Sequence, residues 1–157
     1  MAVNDTSKAK FSSSELNDIR QCEIIDSYGR KIRVYLLWDK EISPDESFVV
    51  TKGFDGCLFI FDHCLYMRFE EGLENLPEKK PESRMLGRFF IASAIDINFN
   101  EMCQVELPQN LLDYANIKTE AVIEGKGGFA AVWSIEAWQK GLFPNGFDDI
   151  EKIIAEY

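Results

Sequence analysis

Residues 119–142, TEAVIEGKGGFAAVWSIEAWQKGL, can be laid over residues 47–73, SFVVTKGFDGCLFIFDHCLYMRFEEGL, with order and spacing kept. Gly53 then meets Gly125, Gly56 meets Gly128, Phe61 meets Trp133 and Tyr66 meets Trp138. Each run is preceded by a strand, turn, strand pattern. In the first half it is CEIID and KIRVYLL around a turn at Ser27 to Gly29; in the second it is AIDINFNEMCQVELP, residues 94–108. A chain that states the same order of hairpins twice is expected to be a tandem duplication. One half alone would leave strand edges unpaired and an apolar face bare. The expected class is α+β, two pseudo-twofold halves of one β-barrel with flanking helices.

The remaining segments follow from periodicity. SFVVTKGFDGCLFIF reads as two apolar strands around a turn at Gly53 to Gly56, and LWDKEISPDES as a short helix or loop broken at Pro44. Leu65, Phe69, Leu73 and Leu76 recur every three or four positions, the stripe of an amphipathic helix stopped by Pro77. A second helix after EKKPES carries Met85, Leu86, Phe89, Phe90 and Ile91, and is expected to be mostly buried. PQNLLDYA reads as a short helix with Pro108 at its first turn, and GFDDIEKIIAEY as an acidic amphipathic helix. The boundaries this implies are a disordered, polar extension over 1–19, repeats over 20–80 and 81–143, and a terminal helix over 144–157.

The two hairpins that open the repeats differ in chemistry. DSYGR, residues 26–30, places an aspartate and an arginine around a turn ending in glycine; NEMCQ, residues 100–104, has neither charge at the equivalent places. In a three-residue hairpin loop, Asp26 can accept backbone N–H groups across the turn while Gly29 takes the positive φ, which fixes where Arg30 emerges. Arg30 then has two readings. One is a surface pair with Asp26 worth about 0–1 kcal/mol. The other is a guanidinium held out to phosphate oxygens or to the O6 and N7 edge of guanine.

With 157 residues and 46% hydrophobic content the chain can bury a core of its own. The formal net charge of −10 argues against a broad, non-specific grip on nucleic acid, though not against a few focused cationic loops. The polar opening segment and the lack of long apolar runs point to a cytoplasmic protein with no membrane partner. Cys22, Cys57, Cys64 and Cys103 form no C-x-x-C pair, so a zinc site is not expected; in the cytoplasm they should be reduced, and they read as small apolar packing residues.

The runs DSYGR, SFVVTKGFDGCLFIF, GRFFIASA and AVWSIEAW resemble, in order and spacing, the bacterial MraZ family of the AbrB-like swapped-hairpin superfamily. The resemblance covers roughly residues 20–140, and FVVTKGFDGCLF is its most specific block. It implies two fused swapped-hairpin repeats, each with a D-x-x-x-R signature. It also implies cytoplasmic, nucleoid-associated rings that bind short direct repeats in DNA upstream of the division and cell wall cluster, commonly repressing their own operon. Carried over residue by residue, Asp26, Gly29 and Arg30 match the first signature. Lys31 and Arg33 add positive charge beside it, and Tyr28 stands where a basic residue is frequent. Asn100, Cys103 and Gln104 occupy a degenerate second signature, in which Gln104 cannot neutralise a phosphate. The alternative reading is a ring-forming interaction module that has lost strong DNA binding.

Other candidate sites are weak. His63 is the single histidine, and in a helix's first turn its neighbours Asp62 and Cys64 point elsewhere. Gly125, Gly127 and Gly128 lack the Walker spacing and fit a strand-to-strand turn. Trp133 and Trp138 read as core or interface anchors. The sequence points to no enzyme, no metal and no cofactor.

Overall fold

The computed structural model describes residues 20–75 and 81–140, so the expectations for 1–19, Leu76 and 144–157 lie outside the described residues. The described residues open with a hairpin, β1 (Arg20–Ile25) and β2 (Lys31–Trp38), and a second hairpin, β3 (Phe48–Lys52) and β4 (Leu58–Asp62), follows a loop. Two helices come next, α1 (His63–Glu74) and α2 (Pro81–Ser93). Then come β5 (Ile95–Ile97), β6 (Gln104–Glu106) and the short α3 (Gln109–Tyr114). The hairpin β7 (Glu120–Lys126) and β8 (Phe129–Ser134) and the one-turn α4 (Ile135–Gln139) are the last described elements.

All eight strands join one sheet in the order β5-β3-β4-β8-β7-β2-β1-β6. Its two edge strands, β5 and β6, are consecutive in the chain, so the turn between them brings the ends of the sheet together into a nearly closed barrel. Closure of this kind removes most of the exposed edge that an open sheet presents. Neighbours within a hairpin pair antiparallel. The early and late parts of the chain meet through four ladders: two parallel, with Val34 opposite Ala121 between β2 and β7 and Glu23 opposite Gln104 between β1 and β6, and two antiparallel, β3 with β5 and β4 with β8.

Side-chain alternation divides the apolar residues into two cores. Ile32, Val34, Leu36 and Trp38 alternate with Lys31 and Arg33, and pack in the barrel interior with Ile24, Phe48, Ile60 and Val132. β4 and β8 are buried on both faces, which accounts for their unbroken apolar runs. Leu58 and Ile60 point inward, whereas Phe59 and Phe61 point outward to a second core with Tyr66, Phe69, Phe90, Trp133 and Trp138. There Phe61 stacks on Phe69 at 4.8 Å between centroids, and Phe90 meets Phe69 edge-on at 5.0 Å. The expectation that Trp133 and Trp138 anchor a core is met.

Two expectations need correction. α2 is not mostly buried: Phe90 is enclosed and Leu86 and Phe89 are half-buried, but Met85 and Ile91 are exposed, because a single stripe faces the sheet and α1. Residues 39–47 form a loop, one of the two alternatives expected for that segment. Gly53 and Gly125 do not share a register position. Phe48 pairs with Asp62 and Ala121 pairs with Ser134, so the second hairpin is one residue shorter and turns at Gly127, whose φ is +63°. Gly125 is needed for another reason, since a Cβ there would stand 2.6 Å from the Trp38 ring and 2.7 Å from the Ala130 Cβ.

The strand-to-helix junctions are capped in the same way in both halves. Asp62 Oδ1 accepts the Leu65 amide at 2.7 Å, and Ser134 Oγ accepts the Ala137 amide at 3.1 Å. Asp62→Ala is expected to lower stability by about 1 kcal/mol while Asp62→Ser keeps most of it, measured by urea denaturation.

Candidate nucleic-acid interface

The turn between β1 and β2 is stiff because one carboxylate organises it. Asp26 Oδ1 accepts the amides of Tyr28 and Arg30, each at 2.9 Å, and the Asp26 amide donates to the Arg30 carbonyl at 3.0 Å. Gly29 takes φ +82°, a conformation that costs glycine nothing. The Arg30 Nε–H donates to Asp26 Oδ2 at 2.8 Å, with the arginine side chain 69% exposed and the aspartate side chain 2% exposed. Nε is one of five N–H donors on a guanidinium; the other four lie on the two Nη groups, beyond the Asp26 contact. The Arg30 Cζ lies 5.1 Å from the centroid of the exposed Tyr28 ring. Both readings of Arg30 thus share one geometry, in which the pair with Asp26 holds the side chain and leaves its outer end in water.

Burial works to raise the Asp26 carboxyl, but the Arg30 amide, the Arg30 guanidinium and the Tyr28 amide together outweigh it and hold the pKa below the ordinary 3.8. A depressed carboxylate pKa contributes stability that is complete above the unfolded value and disappears as pH falls through the folded one. The turn should therefore be intact at pH 5 and loosen only below pH about 4. In an NMR titration the Tyr28 and Arg30 amides should follow this acid step, while the Met102 amide, bonded to an asparagine, should not.

The turn between β5 and β6 has the same backbone bonds with neutral groups. Asn100 Oδ1 accepts the amides of Met102 and Gln104, each at 2.9 Å, and the Asn100 amide donates to the Gln104 carbonyl at 2.9 Å. Cys103 stands in the place of Gly29 with φ +57°. Asn100 Nδ2 donates to Gln104 Oε1 at 2.9 Å, where the first turn has an ion pair. Unlike Arg30, Gln104 is buried, and its Nε2 donates to Glu23 Oε1 on β1 at 2.7 Å.

This second turn is also fastened covalently. Cys22 and Cys103 form a disulfide with Cα atoms 5.0 Å apart, which corrects the expectation that all four cysteines are reduced. No short-range spacing signals this bond. The parallel pairing of β1 with β6 sets Cys22 and Cys103 one position before the partners Glu23 and Gln104, across 81 residues of sequence. Cys57 is a buried free thiol, as expected of a packing residue, and Cys64 is free and exposed. Glu23 was not singled out by sequence reasoning either, since only the β1–β6 ladder brings it to Gln104.

Of the two flanking cations, Lys31 is exposed beside the turn. Arg33 is exposed too, but its cross-strand partners are Glu23 and Glu120, so its charge is set between carboxylates. A cleft of about 720 Å³ opens between the two turns, bounded by Ile25, Asp26, Asn98, Asn100, Gln104 and Pro108. Asp96 and Glu106 also face it and, among the described residues, no Lys, Arg or His does, so these residues do not suit an anion. His63 is exposed at the start of α1, and among the described residues no three His, Cys, Asp or Glu are grouped to hold a metal ion. No helix among the described residues is long and apolar enough to cross a membrane.

No family model matches the chain. Curated relatives do. It is 36% identical over 134 residues to the transcriptional regulator MraZ of Lachnoclostridium phytofermentans, covering 85% of this chain and 92% of the relative. It is 30% identical over 135 residues to the transcriptional regulator MraZ of Pediococcus pentosaceus, with the same coverage of 85% and 92%. It is 32% identical over 133 residues to the transcriptional regulator MraZ of a Thermoanaerobacter species, covering 85% of this chain and 90% of the relative.

Proposed function

The chain belongs to the MraZ family of transcriptional regulators, and on that premise we propose that it is a sequence-specific DNA-binding regulator whose reading element is the Asp26–Arg30 turn. The observation that carries this reading is a guanidinium 69% exposed on a turn in which Asp26 makes five hydrogen bonds. Such a group can bind phosphate oxygens or guanine bidentately with little ordering cost, because the turn has already fixed its origin. Gly29 and Asp26 serve the turn, Lys31 adds charge beside it, and Arg33 contributes less because of Glu23 and Glu120.

One such turn binds weakly. We propose that identical subunits form a ring that presents Arg30 at the spacing of short direct repeats, so that later contacts are intramolecular and avidity rises by about 10² to 10⁴. The net charge of −10 then suppresses binding elsewhere rather than opposing it at the turns. Each subunit is two fused AbrB-like swapped-hairpin halves, a reading supported by the matching bonds of the two turns and the matching caps at Asp62 and Ser134. The setting is the cytoplasm and nucleoid, and the target is the protein's own division and cell wall operon, which it represses. No catalysis is part of this reading.

Asn100, Cys103 and Gln104 do not read DNA in this account, since Gln104 is spent on Glu23. That neutral turn favours one other reading, a ring that binds a protein instead. Footprinting on the DNA upstream of the protein's own gene separates them. Protected boxes at a regular interval are expected; uniform cleavage at all concentrations contradicts the DNA-binding reading.

A further inference from the structure

The tip of the first turn carries an unexplained side chain. Tyr28 is 74% exposed, the most exposed large apolar residue in the described structure, although its backbone is held by the 2.9 Å bond from its amide to Asp26 Oδ1. The Tyr28 ring lies outside both cores, and among the described residues its contact is with Arg30, whose Cζ lies 5.1 Å from the ring centroid, within range of a cation–π contact. The guanidinium is therefore held from two sides, by Asp26 at Nε and by the Tyr28 ring. The tyrosine and the arginine emerge from the same turn two residues apart and form one composite surface, a flat cation bordered by an apolar ring.

We propose that Tyr28 is a specificity-determining residue, which reads the C5-methyl group of a thymine next to the guanine that Arg30 reads. The inference rests on the DNA-binding role of the Arg30 turn proposed above. The major groove offers a guanidinium the O6 and N7 acceptors of guanine, and its one apolar feature is the thymine methyl. Stacked bases are about 3.4 Å apart, so a ring about 5 Å from a guanidinium centred on one base reaches the next. The second turn provides an internal contrast. Met102 is 73% exposed at the matching tip position, yet no arginine accompanies it, and Gln104 is drawn back to Glu23. Only the first turn joins a tip side chain to a base-reading group.

The test uses the full-length protein and DNA chosen by the protein itself, through repeated selection from a pool of random duplexes. In the selected sequence, thymines beside guanines are replaced by deoxyuridine, which removes only the methyl group. For the wild-type protein each critical replacement is expected to weaken binding about fourfold per turn engaged, the factor that burial of one carbon of this size corresponds to. Tyr28→Phe should keep this preference, because the ring does the reading. Tyr28→Ala, folded as wild type by circular dichroism, should bind thymine and deoxyuridine duplexes equally. A ring that merely propped Arg30 would give a different pattern, with Tyr28→Ala weakening both duplexes alike and the wild type indifferent to the methyl. That result overturns the specificity role and leaves DNA binding standing. Failure of the wild type to enrich any sequence overturns both.

Discussion

Arg30→Ala should bind repeated DNA at least about 100-fold more weakly than wild type and unfold at nearly the same urea concentration. The separation of the two effects follows from the turn. Its backbone is held by Asp26 Oδ1 through the amides of Tyr28 and Arg30, and neither bond involves the arginine side chain. What the fold loses is an ion pair whose guanidinium is 69% exposed and screened by water, while the buried Asp26 carboxylate keeps its two backbone amide bonds. On the proposed reading, binding loses a bidentate contact worth about 1–3 kcal/mol at every turn of the ring engaged, so the losses compound. Arg30→Lys should fall between the two, retaining charge without the fork. A sharper form converts the first turn into the second. Asp26→Asn with Arg30→Gln reproduces the neutral pair seen at Asn100 and Gln104, which already supports the same backbone bonds. This double variant should fold and fail to bind, as judged by urea melts and anisotropy on the same preparation.

The largest expected change in stability comes from the disulfide. Joining Cys22 to Cys103 closes a loop across 81 residues of sequence, and its removal should cost about 4 kcal/mol through the entropy the unfolded chain regains. The best substitute is Cys22→Ala with Cys103→Gly, because residue 103 takes φ +57° and the corresponding place in the first turn is already a glycine. Reductant should lower the urea midpoint of the wild-type protein and leave that of the double variant unchanged. A midpoint insensitive to reductant in both would mean that the bond contributes nothing. The Asn100–Gln104 turn should be the region most affected, since the backbone bond from the Glu23 amide to the Cys103 carbonyl and the bond from Gln104 to Glu23 flank the cross-link.

What could be read from the sequence was what depends on local pattern. The hairpin at Ser27 to Gly29 was legible because Asp26 and Gly29 have a specific task in a three-residue turn, and both perform it. The apolar runs of β3, β4, β7 and β8 were legible because those strands are buried on both faces. The correspondence of the two turns was legible too, as Asn100 and Gln104 stand in the places of Asp26 and Arg30 with the same backbone bonds. What escaped depends on contacts distant in sequence. The disulfide and the Gln104–Glu23 bond exist only because β1 and β6 lie side by side, and nothing within either segment announces that pairing. The exposure of Met85 and Ile91 escaped for a related reason. An apolar helix does not state how many neighbours it will have, and α2 packs one face on the sheet and α1. The register of the Gly127 turn escaped because a one-residue shortening is invisible in an alignment anchored on glycines.

The claim that Arg30 is the DNA-reading group of a multivalent assembly is tested most directly by the salt dependence of binding, measured by fluorescence anisotropy on DNA carrying one, two and four copies of the protected box. The account predicts that the slope of log affinity against log salt steepens with copy number, and that Arg30→Gln removes about one unit per turn engaged. Equal slopes on one and four copies, unchanged in Arg30→Gln, would contradict it and place the protein's partner elsewhere.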